Sequence, residues 1–298
     1  MRALAESNGR GELERIEGGG LVVPRRLPLR TNGTRLETLS ISSLALFWRC
    51  PERWRRRYLE REREPQSGAM IVGKAVGAAI TQHYAAQMAC EALSAGDADD
   101  ICAAEFDESA LRPGAEFGED DVDELREHSR GALRAYLSEL APQVRPVSVE
   151  RKVELRFAGA EWAFVGYLDL EDESGVVIDV KVGKKHVTDT AAMRSPQATS
   201  YLLARVMEGR PAERFAFHSV RRGAKRGEHC LVVPTERSEG QLRALEERIA
   251  QTARQIARCA ESGEWPLSTP DGWWCSGRMC AFWASCPAGG GRIDAAGI

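Results

Sequence analysis

The chain has 298 residues, of which 43% are hydrophobic and 29% charged, and its formal net charge is -3 at pH 7. This composition is typical of a soluble globular protein with one elaborated domain or two small ones, and it excludes nucleic-acid binding driven by bulk basicity. No apolar run is long enough to span a membrane, and no hydrophobic stretch follows the basic start as it would in a secretory signal, so we expect a cytoplasmic protein.

The first part of the chain divides into a leader and two helical patterns. Residues 1–36 are rich in Gly, Arg and Asn with little periodicity, which predicts a flexible leader ahead of a single domain over residues 37–298. Ser40 or Ser42 can cap a helix that begins there. A second helix, apolar almost all round, begins near Met70 and is expected to be central.

The middle of the chain changes first in charge and then in periodicity. An acidic segment over about residues 94–130 predicts a solvated helical insertion, with an acidic flap that excludes nucleic acid from one side as the alternative. From Val147 the hydrophobic residues alternate, and three strands separated by short turns end at Lys181. A helix, two more strands and a long helix ending near Glu261 follow. This order predicts an α/β fold with a central mixed sheet flanked by helices.

Charged side chains cluster at the ends of the second and third predicted strands. Asp169 ends one strand, and Asp179 and Lys181 end the next, where residues two apart point to the same face. For the latter two alone, an ordinary exposed ion pair is the alternative. Two half-buried carboxylates are costly unless a cation shares them, and hard oxygen ligands suit Mg²⁺ or Mn²⁺. Gln197 and Tyr201, four residues apart, share one face of the next helix.

The complete pattern resembles the active site of the PD-(D/E)XK nuclease superfamily, in its branch of RecB-type exonucleases. The motifs G-x-x-D, D-x-K and Q-x-x-x-Y begin at Gly166, Asp179 and Gln197. The resemblance implies a restriction-endonuclease-like core. The residues to which it assigns roles are the metal ligands Asp169, Asp179 and the Val180 carbonyl, and the catalytic residues Lys181, Gln197 and Tyr201.

The upstream helix departs from this family pattern. RecB-type enzymes usually carry a metal-binding histidine in a G-x-x-x-H motif there, and this chain has Gly77 in the histidine's place. His83 lies about 240° further round the helix, so a packing or surface role is the alternative to metal binding. Glu150 and Glu154 on the first strand are candidate carboxylates. We therefore add Glu150 and His83 to the expected metal ligands.

Three of the eight cysteines lie in an aromatic C-terminal segment, residues 271–288. In a thiol-reducing compartment, the close spacing of Cys275, Cys280 and Cys286 favours a metal site, with packing thiols as the alternative. The resemblance implies Cys50 as the fourth ligand, because AddB-type nucleases and CRISPR-associated adaptation exonucleases place one cysteine before the core and three after it. It therefore implies a 4Fe-4S cluster that joins the N- and C-terminal segments, with zinc as the alternative metal.

Two basic stretches are candidate DNA contacts. One is arginine-rich, with Trp54 and Tyr58 interleaved as faces on which bases can stack, although neighbouring glutamates make a solvated amphipathic helix an equal alternative. The other follows the third strand. The candidate residues are Arg53, Arg56, Arg57, Lys184 and Lys185.

These features predict an exonuclease that uses Mg²⁺ or Mn²⁺ to hydrolyse DNA phosphodiester bonds by in-line attack of water, with single-stranded ends as the favoured substrate. The resemblance implies a role in recombination, repair, CRISPR adaptation or phage DNA processing, in a bacterial cytoplasm or that of an infected host. A helicase, a recombination or adaptation partner, and oligomers are compatible with that role; a membrane partner is not expected. The alternatives are a catalytically inactive DNA-end-binding or assembly subunit with a structural metal cluster, and a zinc-binding interaction protein.

Overall fold

The computed structural model describes residues 21–210, 214–225, 227–269 and 271–289. They form two compact units, and the domain predicted over residues 37–298 contributes to both. Unit 1 comprises the described residues within Met1–Glu64, Glu154–Gly166 and Arg243–Ile298, and unit 2 comprises those within Pro65–Val153 and Tyr167–Leu242.

The predicted leader falls partly within unit 1. Its residues 1–20 lie outside the described residues. In the rest of the leader, Leu27 and Leu36 are buried, and Leu29 forms an isolated antiparallel bridge with Arg35.

Unit 1 begins with three short elements, β1 (Thr38–Ser40), α1 (Ile41–Arg49) and α2 (Pro51–Tyr58). Ser40 caps α1 as predicted, because its hydroxyl accepts a hydrogen bond from the Ser43 N–H at 3.3 Å. Cys50 is both the C-cap of α1 and the N-cap of α2, and its sulfur accepts a hydrogen bond from the Arg53 N–H at 3.4 Å. The proline that follows Cys50 fits the first turn of α2.

The core of unit 1 is aromatic. Trp54 is fully buried, with Phe47 edge-on at 5.6 Å and Trp265 stacked at 5.8 Å between ring centroids. The prediction that Trp54 offers a stacking face for bases is therefore wrong, because packing within the core already covers both sides of its ring. The long C-terminal helix α8 (Glu239–Ser262) begins in unit 2 and continues in unit 1, where Thr252 accepts a hydrogen bond from Trp48 Nε1 at 2.8 Å.

Unit 2 contains α3 to α7 and most of the sheet. Its elements, of which β4 and β5 extend into unit 1, are β2 (Gln66–Ser67), α3 (Gly68–Met88), α4 (Ala95–Leu111), β3 (Ala115–Glu116), α5 (Val122–Glu139), β4 (Pro146–Arg156), β5 (Ala163–Asp172), β6 (Val177–Gly183), α6 (Asp189–Met193), α7 (Pro196–Met207), β7 (Phe215–Arg221) and β8 (Cys230–Thr235).

The sheet is mixed, as predicted. β4 pairs with β5, β5 is antiparallel to β6, β6 is parallel to β7, and β7 is antiparallel to β8. In unit 1, β1 runs parallel to the first residues of β5. The parallel pair β6 and β7 is central, and β7 is buried from Phe215 to Val220.

A layer of three helices packs on the sheet of unit 2. α3 contacts α4, α5 and β6, and its small and branched apolar side chains lie in the main core cluster. The predicted acidic insertion, residues 94–130, folds as α4, β3 and the first half of α5. Its carboxylates are matched by arginines of α5: Asp107 accepts from Arg126 at 2.7 Å, and Asp99 pairs with Arg130. Among the described residues, no helix combines the length and apolar character of a membrane span.

Candidate active site and cysteine pocket

The pairing of β5 and β6 brings the predicted carboxylates together. Leu170 faces Ile178 in the register, so one further residue places Asp169 opposite Asp179. Asp169 Oδ2 accepts a hydrogen bond from the Val180 N–H at 3.3 Å.

Asp179 and Lys181 point to the same face of β6. Lys181 Nζ lies 2.7 Å from Asp179 Oδ2, and the lysine is 41% exposed while the aspartate is 0% exposed. The exposed part of this lysine can therefore reach solvent or a ligand while its amine stays beside a buried carboxylate.

Burial opposes the ionisation of both carboxylates. Burial, and then the charge of Asp169, raise the pKa of Asp179 to about 7, and burial also raises the pKa of Asp169. The Lys181 charge acts in the opposite direction on both groups. Although Asp179 Oδ2 is close to Lys181, no hydrogen bond of acceptable geometry reaches this buried oxygen. A buried carboxylate oxygen without a hydrogen bond is a ready ligand for a cation.

Helix α7 supplies a second set of polar contacts to the same carboxylates. Ser195 caps the helix, since its hydroxyl accepts from the Ala198 N–H at 3.2 Å. In the first turn of the helix, Gln197 Nε2 donates to Asp179 Oδ1 at 2.7 Å and to the Tyr201 hydroxyl at 3.1 Å. The helical spacing therefore joins Gln197 and Tyr201 to the carboxylate pair.

The two additional candidates have different surroundings. Glu150 has a positive φ of 46°, accepts a hydrogen bond from Thr81 at 3.4 Å, and has its pKa raised by burial and then by the charge of Asp169. His83 instead packs edge-on against Tyr84, and burial alone lowers its pKa. Among the described residues, Glu150 is thus brought to the carboxylates and His83 is not.

There is space beside Gly77, the position at which related enzymes usually carry a histidine. A Cβ built at Gly77 would meet no atom within 4 Å, and Gly77 lines a groove together with Thr81 and Glu150. Glu154, the other candidate on β4, forms an ion pair with Arg156.

The donor set fits Mg²⁺ or Mn²⁺, although it is incomplete. Within the described parts of the chain, no three His, Cys, Asp or Glu side chains are arranged so that they could hold a metal ion. Mg²⁺ is commonly bound through one or two protein carboxylates, with waters and substrate phosphates completing its shell. Asp169, Asp179 and the Val180 carbonyl meet that requirement.

Sequence reasoning missed a buried ionic cluster beside this site. Glu171 is fully buried, and its carboxylate accepts from Arg151 at 2.6 Å, from Arg205 at 2.8 Å and from Ser148. The available signal was spacing, because Glu171 lies two residues after Asp169 on one strand face and Arg205 lies four residues after the motif tyrosine on α7. The cluster ties α7 to β5 next to the candidate site.

A family model for the PD-(D/E)XK nuclease superfamily matches residues 38–287. The chain belongs to this superfamily. Its mixed sheet with flanking helices fits a restriction-endonuclease-like fold, and the protein is a nuclease. No match was found among curated proteins.

Two solved structures are similar to this nuclease. The crystal structure titled “Putative exonuclease” from Eubacterium rectale is 13% identical, covers 80% of this chain and 87% of its own, and has a TM-score of 0.51. At that identity the likeness shows the fold alone. The crystal structure of SSO0001 is 11% identical, covers 83% of this chain and 96% of its own, and has a TM-score of 0.30, too low to add to the fold assignment.

The four candidate cysteine ligands of the nuclease line one pocket in unit 1. Burial raises the pKa of Cys275, and the charges of Cys50, Cys280 and Cys286 raise it further. The four sulfurs therefore lie near one another although more than two hundred residues separate Cys50 from the rest. Among the described residues, no three of these thiols are arranged to hold a metal ion.

The predicted DNA-binding arginines are ion-paired within unit 1. Arg53 and Arg57 lie 2.8 Å and 2.9 Å from Glu64, and Arg56 lies 2.9 Å from Glu62. These pairs leave little free charge on α2 for phosphate groups.

Arg56 and the candidate lysines have further contacts. The Arg56 guanidinium lies 4.4 Å from the Phe282 ring centroid and donates to Ser285 at 2.9 Å, so it holds the cysteine segment. In unit 2, Lys184 pairs with Asp120 at 3.1 Å, while Lys185 is exposed.

Proposed function

We propose that this nuclease is a RecB-type DNA exonuclease that uses Mg²⁺ or Mn²⁺ and acts on single-stranded ends. One observation carries the proposal: Asp169 and Asp179 form a buried pair with Lys181 Nζ 2.7 Å from Asp179 Oδ2. Two neighbouring carboxylates whose pKa values are raised by burial, beside a partly exposed amine, are suited to binding a hard cation and a phosphodiester.

Each residue of the candidate site has its own proposed role in the reaction. Asp169, Asp179 and the Val180 carbonyl would hold the cation, which when bound neutralises the carboxylates and polarises the scissile phosphate. Gln197 donates to Asp179 Oδ1, and we assign Oδ2, the oxygen beside Lys181 Nζ, to the cation. Lys181 orients the attacking water and accepts or returns its proton at Nζ. The water oxygen bonds to phosphorus as the opposite P–O bond breaks and the sugar oxygen leaves.

Glu150 is proposed as a further carboxylate of this site. Its strained backbone and its bond to Thr81 hold it where the charge of Asp169 acts on it. It borders the groove at Gly77, where related enzymes carry a histidine.

We also propose that Cys50, Cys275, Cys280 and Cys286 bind a 4Fe-4S cluster. Four thiolates suit either an iron–sulfur cluster or zinc, but zinc requires four sulfurs at about 2.3 Å from one ion. The resemblance to AddB-type nucleases, which place one cysteine before the core and three after it, favours the cluster. Its role is structural, since closing so long a loop restricts the unfolded chain by about 5 kcal/mol in the cross-link model.

The resemblance to AddB-type and CRISPR-associated exonucleases supports work on DNA ends in recombination, repair, CRISPR adaptation or phage DNA processing. A helicase or adaptation partner would then deliver the single strand.

Cleavage of end-labelled linear single-stranded DNA with Mn²⁺ tests the catalytic proposal. Lys181→Ala is expected to slow cleavage at least about a hundredfold, because it removes the proton-transfer group. Lys225→Ala, which removes an exposed lysine, is the matched control and should cleave like wild type. Circular single-stranded DNA should resist attack. Equal cleavage by wild type and Lys181→Ala would favour the inactive end-binding alternative.

Metal content tests the cluster. Anaerobically purified protein is expected to be brown and to contain iron and sulfide, and Cys280→Ser should lose both. Cys90→Ser, which changes an exposed cysteine away from the pocket, should keep them. Colourless protein that contains zinc would overturn the cluster assignment.

A further inference from the structure

We infer that unit 1 carries a separate binding surface for the unpaired bases of a nucleic-acid strand, formed by Trp48, Arg49, Arg248 and Trp273. This tryptophan–arginine surface depends on the proposed function only for the nature of its ligand. It is distinct from the carboxylates of unit 2 and from the arginines of α2.

Two consecutive tryptophans in the cysteine segment have opposite environments. Trp274 turns inward, and its Nε1 donates to Ser268 at 2.8 Å. This fold needs glycine at position 272, because a Cβ there would lie 2.5 Å from the Trp274 ring. Trp273 is left 62% exposed. An exposed indole forgoes a large gain from burial, so its fixed outward position indicates a ligand that covers it.

Each exposed arginine of the surface lies over an indole ring. The Arg49 guanidinium is 5.8 Å from the Trp273 ring centroid, and that of Arg248 is 3.8 Å from the Trp48 ring centroid. Trp48 is itself held by its hydrogen bond to Thr252. Trp48 and Arg49 are the last two residues of α1, so both stacks are held at the end of one helix.

The charge of these two arginines is free for a ligand. Within the described parts of the chain, neither Arg49 nor Arg248 has an ion-pair partner, in contrast to Arg53, Arg56 and Arg57. Two unpaired guanidinium groups beside aromatic faces favour a polyanion over an apolar partner. Guanidinium groups hold phosphates, and indole rings accept bases of any sequence.

The aromatic component selects for a single strand. Bases in a duplex are stacked on each other and present no free face, whereas unpaired bases can lie on an indole or a guanidinium plane. A strand that reaches this surface would be bound through its bases and its backbone together.

Fluorescence anisotropy of labelled oligo(dT), titrated with the full chain in EDTA to suppress cleavage, tests this inference. Trp273→Ala and Arg49→Ala are each expected to weaken binding about tenfold. Trp273→Phe, which keeps an aromatic face, should restore most of the affinity. The matched controls are Met279→Ala, an exposed residue of the same segment, and Arg63→Ala, an exposed arginine; both should bind like wild type.

A fully paired hairpin separates base stacking from phosphate contact. Wild type should bind it more weakly than oligo(dT), and Trp273→Ala should not weaken its binding further. The inference is overturned if Trp273→Ala binds oligo(dT) like wild type. It is also overturned if Trp273→Phe has a wild-type circular dichroism spectrum but does not recover binding. The third contrary outcome is that Trp273→Ala loses as much affinity for the hairpin as for oligo(dT). Because no cleavage occurs in EDTA, loss of this surface and loss of the catalytic proposal are independently observable.

Discussion

His218 is a buried titratable group that contacts the hydroxyl of a buried tyrosine. It lies on β7, is 5% exposed, and its Nδ1 is 3.3 Å from the Tyr136 hydroxyl, which in turn contacts that of Tyr84 at 2.9 Å. Burial lowers the pKa of His218 to about 4. The folded protein therefore keeps this imidazole neutral.

We expect His218 to make folding sensitive to acid. As pH falls from about 6.5, the unfolded chain binds this proton first, so the free energy of unfolding decreases by about 3 kcal/mol until pH reaches about 4, and then levels off. Urea unfolding at a series of pH values measures this decrease in the free energy of unfolding. His218→Asn should lose this part of the slope, while His229→Asn should keep it. A slope unchanged in His218→Asn would contradict the assignment.

The residues of the candidate site could be predicted from sequence because strand geometry is local. Residues two apart on β6 share a face, so Asp179 and Lys181 had to meet, and the short turn to β5 brought Asp169 opposite. The arginines of α2 could not be assigned in the same way. Their charge is cancelled by Glu62 and Glu64, which reach them only because the chain turns back after the helix.

At the scale of elements, α7 depends on a buried ion pair for its attachment to β5. Arg205→Met is expected to lower the free energy of unfolding by about 3 to 5 kcal/mol, because it leaves Glu171 buried with one fewer partner. Arg214→Met removes an exposed arginine whose guanidinium donates to the Ser174 carbonyl, and it should change the free energy of unfolding by less than about 0.5 kcal/mol. Chemical denaturation measures both, and equal midpoints would contradict this account.

Helix boundaries followed sequence signals where these were local. Ser40 caps α1 as predicted, and the helix apolar on nearly all sides is α3, at the centre of its core. The segment predicted as one helix after β6 is two, α6 and α7, because Ser195 caps a new helix and Pro196 cannot continue the old one. That break was readable from the Ser-Pro pair.

At the scale of the whole molecule, all four candidate cluster ligands belong to unit 1. Cys280→Ser is expected to accelerate amide hydrogen exchange in α1, in α2 and in residues 271–289, because the proposed cluster would cross-link these segments and the variant would lose it. Exchange in β6 and β7 of unit 2 should stay at the wild-type rate. Cys90→Ser serves as the control. Uniform acceleration throughout the chain, or none, would contradict a local structural role.

The division into two units could not be read from the sequence. Residues near positions 50 and 275 share a pocket, but no local pattern connects them, and only the family resemblance suggested their contact. The same holds for the tryptophan–arginine surface, which joins a helix end to the C-terminal segment. Long-range contacts of this kind depend on packing rather than on period or spacing.

The Cys50 sulfur lies at the junction of α1 and α2. Because Cys50 ends one helix and starts the next, whatever bonds to its thiol also sets the bend between Arg49 and Pro51. Alkylation or oxidation at Cys50 would thus be transmitted to the neighbouring Trp48 and Arg49, so that damage to a proposed cluster ligand would also disturb the proposed strand-binding surface.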